Sequence, residues 1–212
     1  NYGGFAATGG VFRPALTLGV QGSTTVLARF LDLPPLPGSI AEEWDSLVAF
    51  HSNPWPGSVT FAQSPDGDTG FVEIGDAPVR SSIGETETVL APGGLATWSP
   101  AGVTVKMFSG TLVSRPDIDV LGGQNAMAIE HPDGWEIIQY RDADLVAQNT
   151  WHLAGLLRGR LGTDAVIGDA DLPAGASVVV LTTALQPVGL EETQVALPFF
   201  YRFGGTSAEI ST

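Results

Sequence analysis

The sequence predicts an all-β chain, built as one or two small antiparallel β-sandwich or barrel units with short connections. Three observations lead there. Gly (27) and Pro (15) are abundant along the 212 residues, and long helices tolerate neither in their interiors. Apolar and polar residues alternate in short runs bounded by turn residues, the pattern of half-buried strands. Hydrophobic content is 43% against 15% charged, which suits a packed core rather than a disordered segment.

Taken in order, Val11–Val20 reads as a strand with Pro14 near its start. Thr24–Leu33 is a second, ended by Pro34–Pro35, which cannot continue a central strand. Ser39 with Glu42 three residues on suggests a capped helical turn over Gly38–Glu43. Asp45–His51 reads as a strand, the NPWPG turn (Asn53–Gly57) follows, and Ser58–Gln63 is its expected hairpin partner. Gly70–Ile74, Ala77–Ser81 and Glu87–Leu90 are further strand candidates. In Val103–Phe108, Val103, Val105 and Met107 share one face. In Trp135–Tyr140, Ile137 lies beside Trp135 and Ile138 beside Tyr140. Trp151–Leu157, Ser177–Thr182 and Val195–Phe203 complete the set. For Trp151–Arg160 a strand is favoured over a helix, because Gly155 and Gly159 would each cost a helix about 1 kcal/mol. Turn residues cluster at Pro92–Pro100, which places a boundary between an N-terminal unit, 1–98, and a C-terminal unit, 99–212.

Composition narrows function. There is no cysteine, so disulfides, thiol catalysis and Cys-based zinc sites are excluded. The formal net charge of -14 repels phosphate backbones and anionic lipid, so neither direct nucleic-acid binding nor membrane insertion is expected. No apolar run reaches ~18 residues, and no signal-peptide pattern opens the chain. The first residue is Asn1, and a portion of a longer or processed protein is expected. His51, His131 and His152 lack metal-ligand spacing and read as solvated turn or strand histidines. No GxSxG, P-loop or GxGxxG follows a strand. Glu42, Glu43 and Asp45, like Glu191 and Glu192, read as surface acids. No catalytic residue, metal ligand or cofactor is assigned, and no enzyme is expected. Trp55, in a proline-flanked turn, is a candidate glycan contact; Trp44, Trp98, Trp135 and Trp151 border apolar runs and read as packing residues.

Chemistry concentrates in Leu153–Thr163, LAGLLRGRLGT. Two of the chain's nine cations, Arg158 and Arg160, stand two residues apart among Gly155, Gly159 and Gly162. If a strand continues through Gly159, both arginines share a face. Two guanidiniums so close need carboxylates or carbonyls for their forked donors, and Glu136, Asp142, Asp144 and Asp164 are candidate partners. A structural clamp on a hairpin is the favoured reading.

The segment around Gly123–Thr163, GGQNAMAIEHPDGWEIIQYRDADLV followed by WHLAGLLRGRLGT, resembles the tail-tip (baseplate hub, megatron-type host-specificity) proteins of tailed phages and gene transfer agents. The matching positions include Asn125, Glu136, Gln139, Arg158, Gly159, Arg160, Gly162 and Thr163. The LLRGRxGT signature is the most specific part, and weaker similarity extends from about Arg29 to Leu190. The resemblance implies a virion structural protein, made in the bacterial cytoplasm and placed at the tail tip. There it would take part in tail closure, host-envelope attachment and DNA delivery. Its implied partners are other tail or baseplate proteins, with a homotrimer in the assembled particle, and a host surface glycan or receptor. No catalytic residue of that family maps onto this chain. A carbohydrate-binding module reading envelope polysaccharide through Trp55 is the alternative.

Overall fold

In a computed structural model, residues 25–37, 42, 44–93, 97–195 and 197–205 are described. The expected strand Val11–Val20 and the Ser39 turn lie outside them. The architecture is all-β, as the sequence predicts.

The chain divides into two compact units, but not at the expected place. One unit is Asn1–Ser81 together with Thr182–Thr212; the other is Ser82–Leu181. The turn-rich stretch near Pro92–Pro100 therefore lies inside the second unit. Leu90 bridges to Leu172, and Ser99 bridges to Leu156, so this stretch is laced into that unit rather than acting as a linker.

The first unit holds β1 (Leu27–Leu31), β2 (Leu47–His51), β3 (Val59–Ser64) and β4 (Val72–Ala77). The chain then forms the second unit and returns with β11 (Gln186–Pro187) and β12 (Phe200–Gly205). Two three-stranded sheets result, β1-β2-β11 and β12-β3-β4. The expected hairpin of Asp45–His51 with Ser58–Gln63 does not form: β2 pairs with β1 and β11, while β3 pairs with β12 and β4. The proline-rich NPWPG turn carries the chain from one sheet to the other. Their aromatic residues meet in one core, with Phe50 and Phe61 at 5.2 Å between ring centroids and Phe30 and Tyr201 at 4.8 Å, spacings typical of tilted aromatic pairs.

The second unit is a closed barrel of β5 (Ile83–Thr86), β6 (Val103–Met107), β7 (Ala126–His131), β8 (Gly134–Ala147), β9 (Thr150–Leu157) and β10 (Ser177–Val180). Around the barrel the order is β10-β5-β6-β9-β8-β7. Closure removes the free edges of an open sheet. Alternate residues fill the interior: Val103, Val105 and Met107 from β6, Met127 and Ile129 from β7, Ile138 and Tyr140 from β8, Leu153 from β9 and Val178 from β10. A short helix, α1 (Asp117–Leu121), packs on β8 through its buried Val120. After β9 the chain enters a tight 3-10 segment, Arg160–Val166, which also packs on β8.

Candidate functional site

The site is built on the β7–β8 hairpin. In its ladder Met127 faces Ile138, Ile129 faces Glu136 and His131 faces Gly134. Paired residues point to the same side of a sheet, so Glu136 and His131 stand on the side that carries Met127, Ile129 and Ile138. A carboxylate has thus been placed in an apolar interior, and Glu136 has no solvent exposure.

It is fully matched there. Glu136 Oε1 accepts from Arg158 Nε at 2.6 Å and from the Gly159 backbone N–H at 3.0 Å. Glu136 Oε2 accepts from Arg158 Nη2 at 2.7 Å and from His131 Nε2 at 2.9 Å. Two oxygens thus meet four donors, the usual capacity of an ionised carboxylate. The remaining fork of Arg158 reaches the chain on another side: Nη1 donates to Ala91 O at 2.8 Å. Arg158 and His131 are also buried. Burial pushes the Glu136 carboxyl up, but the hydrogen bonds from His131 and Arg158, the guanidinium charge and the Gly159 N–H outweigh it and hold the group below its ordinary value. Gly93 allows the arrangement, since a Cβ there would stand 2.7 Å from Arg158 Cγ.

Arg158 and Arg160 do not share a strand face, contrary to the expectation for a continuous strand. β9 ends at Leu157, and Gly159 takes the left-handed conformation at φ 58°, which glycine adopts without a Cβ clash. Arg160 instead donates from Nε to Gln139 Oε1 at 2.7 Å. Gln139 Nε2 in turn donates to Val120 O at 2.5 Å and Gln124 O at 3.0 Å. One glutamine therefore joins α1, the loop before β7 and the segment after β9. Thr163 completes this side: its Oγ1 donates to Arg160 O and accepts from the Ile137 N–H, both at 2.8 Å. β9 pairs with β8 only as far as Gln139, so Thr163 satisfies an N–H of β8 where the ladder has run out. Gly162, at φ 82°, lies in the same left-handed turn. Asn125, itself at φ 56°, donates from Nδ2 to Val113 O at 2.8 Å and Tyr140 O at 3.1 Å.

Six of the eight motif residues, Glu136, Gln139, Arg158, Gly159, Arg160 and Thr163, therefore form two adjoining networks over β8. Of the four acids named as arginine partners, Glu136 takes the role. Asp142 bonds Arg141 instead, at 2.9 Å from Nη2. His131 is a buried member of the cluster and not a solvated turn residue, and His51 is likewise buried. The signal for His131 was present in sequence: it continues the alternation of Met127 and Ile129. Glu136 carries the same signal with Ile138 and Tyr140.

Trp55 is half-buried, packs against the first unit's core and directs Nε1 to Pro78 O at 3.4 Å. Trp135 and Trp151 are buried as expected, whereas Trp44 is 40% exposed, with its Nε1 3.3 Å from Leu190 O. Among the described residues, no group of three or more His, Asp or Glu side chains is placed to hold a metal ion.

Residues 81–179 match the family described as Rcc01698-like, C-terminal. The matched span nearly coincides with the Ser82–Leu181 barrel and contains the whole arginine cluster. No curated protein matches the chain.

Proposed function

We propose that this chain is a structural part of a phage-like tail tip or baseplate hub, with a role in tail closure, host-envelope attachment and DNA delivery. It acts in a virion, alongside other tail or baseplate proteins and as a homotrimer. The reading rests on the resemblance carried by NA…GxEIIQY…LLRGRxGT. One structural observation supports it above others: the polar residues of that signature bond one another and the backbone. Glu136 has its four acceptor positions filled, and Arg158 joins three separate stretches of chain. The signature thus braces the barrel, which suits a structural part of an assembly.

Labelling particles from the source organism with an antibody against this chain, viewed by electron microscopy, tests the proposal. Label at the distal end of tails is the expected result. Label on cells or in soluble fractions, with bare particles, would sink it.

A further inference from the structure

We propose that Asp133, followed by Gly134 at the tip of the β7–β8 hairpin, is a self-modification site. There the fold leaves aspartate open to isomerisation into isoaspartate, and the product loosens the arginine cluster behind the turn.

The chain contains two Asp-Gly pairs, Asp66–Gly67 and Asp133–Gly134, and no Asn-Gly pair. Such a pair is prone to cyclise, because glycine puts no Cβ beside the attacking nitrogen. In the step, Gly134 N bonds to Cγ of the protonated Asp133 carboxyl. The hydroxyl leaves as water with the amide proton, and a five-membered imide remains. Water then adds to the imide and one C–N bond breaks. Breakage at Cγ restores aspartate. Breakage at the backbone carbonyl carbon leaves isoaspartate, with the main chain running through Cβ and Cγ and the α-carboxyl as the side group. The sum is an isomerisation, with water lost and regained and no other reactant.

Both aspartates are exposed, but they are held differently. Asp66 Oδ1 accepts from the Asp68 and Thr69 N–H groups, each at 3.0 Å, and Oδ2 accepts from Thr69 Oγ1 at 3.0 Å. Those two N–H groups, with the Ser64 and Thr69 hydroxyls, hold the carboxyl well below its ordinary range, so the protonated form that cyclises is scarce. The nucleophile of this pair is engaged as well, since the Gly67 N–H donates to Ser64 Oγ at 3.2 Å. The Phe200 ring packs over the same glycine, with Cγ 2.6 Å from where a Cβ would stand.

Asp133 lacks such restraints. Among the described residues its carboxylate has no hydrogen bond or ion pair. Gly134 is required by the fold, because its φ is 148° and a Cβ there would meet Val166 Cγ1 at 3.1 Å. The reactive pair is therefore built into the turn, with the glycine fixed and the aspartate free.

The consequence is local. The ladder sets His131 opposite Gly134, which leaves only Pro132 and Asp133 in the turn. One extra main-chain carbon there lengthens the link between His131 and Glu136, whose side chains meet at 2.9 Å. A buried carboxylate tolerates the loss of a donor poorly.

The test keeps the full chain for weeks in warm, mildly acidic buffer, folded in one sample and in urea in the other. Electron-transfer mass spectrometry of its peptides distinguishes isoaspartate from aspartate at each site. In the folded chain isoaspartate should accumulate at Asp133 about tenfold or more faster than at Asp66, from the hydrogen bonds that Asp66 must first break. In urea the two rates should converge. The aged parent should also gain a fraction that unfolds at lower urea, in proportion to the isoaspartate at 133. Asp133→Glu, which forms no five-membered imide, should unfold with the fresh parent and gain no such fraction. Four results would overturn the proposal: no isoaspartate at 133 in the folded chain, equal rates at the two sites when folded, the same contrast in urea, or isoaspartate at 133 with an unchanged unfolding midpoint.

Discussion

Arg158 and Glu136 show what one buried ion pair demands. Desolvating both charges costs several kcal/mol each, and the cost is offset only by close geometry and full hydrogen bonding. Both conditions hold, with bonds of 2.6 and 2.7 Å and every Glu136 acceptor position taken. Breaking one side is therefore severe. Arg158→Ala should destabilise the barrel by roughly 3–5 kcal/mol, because it leaves a buried carboxylate with only His131 and one N–H. Urea unfolding of the variant checks this; a change within about 0.5 kcal/mol, the usual surface value, contradicts the clamp. Acid should act through the same pair. Glu136 has a folded value below its ordinary 4.5, so the stability it contributes is complete above that value and is lost as pH falls through the lowered folded value. The urea midpoint of the barrel should thus drop on acidification below about pH 4.5. Glu136→Gln, less stable throughout, should show a shallower drop; an unchanged acid slope would assign the effect to other carboxylates.

At the scale of elements, the Arg160–Val166 segment takes the place of a strand. β8 runs on past the end of β9, and Thr163 supplies the acceptor for the Ile137 N–H that a paired strand would have supplied. Thr163→Val keeps the shape and removes that acceptor. It should cost about 1–3 kcal/mol, the penalty for a buried donor left unmatched, measured by urea or thermal unfolding; a neutral result would show that the N–H finds another partner. Gly162→Ala tests the turn itself. At φ 82°, with open space around the Cβ position, only backbone strain opposes the substitution, so a loss of about 1 kcal/mol is expected. The same scale shows why some elements were legible and others were not. Val103–Phe108 and Trp151–Leu157 were visible in their alternation and match β6 and β9 to within one residue at each end. β5 was missed, with strands expected on either side of it. Its four residues, Ile-Gly-Glu-Thr, look like a turn, yet Gly84 is required because a Cβ there would strike the Lys106 carbonyl oxygen. β8 was expected to stop at Tyr140 because the later residues Arg141–Ala147 carry two acids and lose the apolar alternation. The Arg158 partner, Glu136, was one of four acids named, and the requirement that close guanidiniums meet carboxylates did not choose among them. The Gln139 relay was not named, since an amide on a strand carries no signal of which carbonyls it will meet.

Over the whole molecule, the missed feature was the order of assembly. Alternation marks strands but does not say which distant strand each will pair with, so a linear division at 98 and 99 was the natural expectation. The chain instead closes its first unit with β11 and β12, more than 100 residues after β2 and β3, and the barrel lies in the gap. An inserted unit of this kind needs its two ends close together. They are: the Val180 N–H donates to Ser82 O at 3.0 Å, beside the β5–β10 pairing. The barrel also has its own closed sheet and its own apolar core, the two requirements for independent folding. At 100 residues, Ser82–Leu181 is in the usual size range of a single cooperative domain. Expressed alone, it should fold and unfold in one cooperative urea transition, with near-native far-UV circular dichroism and a midpoint that Arg158→Ala lowers as it does in the full chain. A fragment without a cooperative transition would mean that the barrel borrows stability from the strands that flank it. If it folds, the arginine cluster is a device internal to one module, and the returning strands β11 and β12 serve the first unit alone.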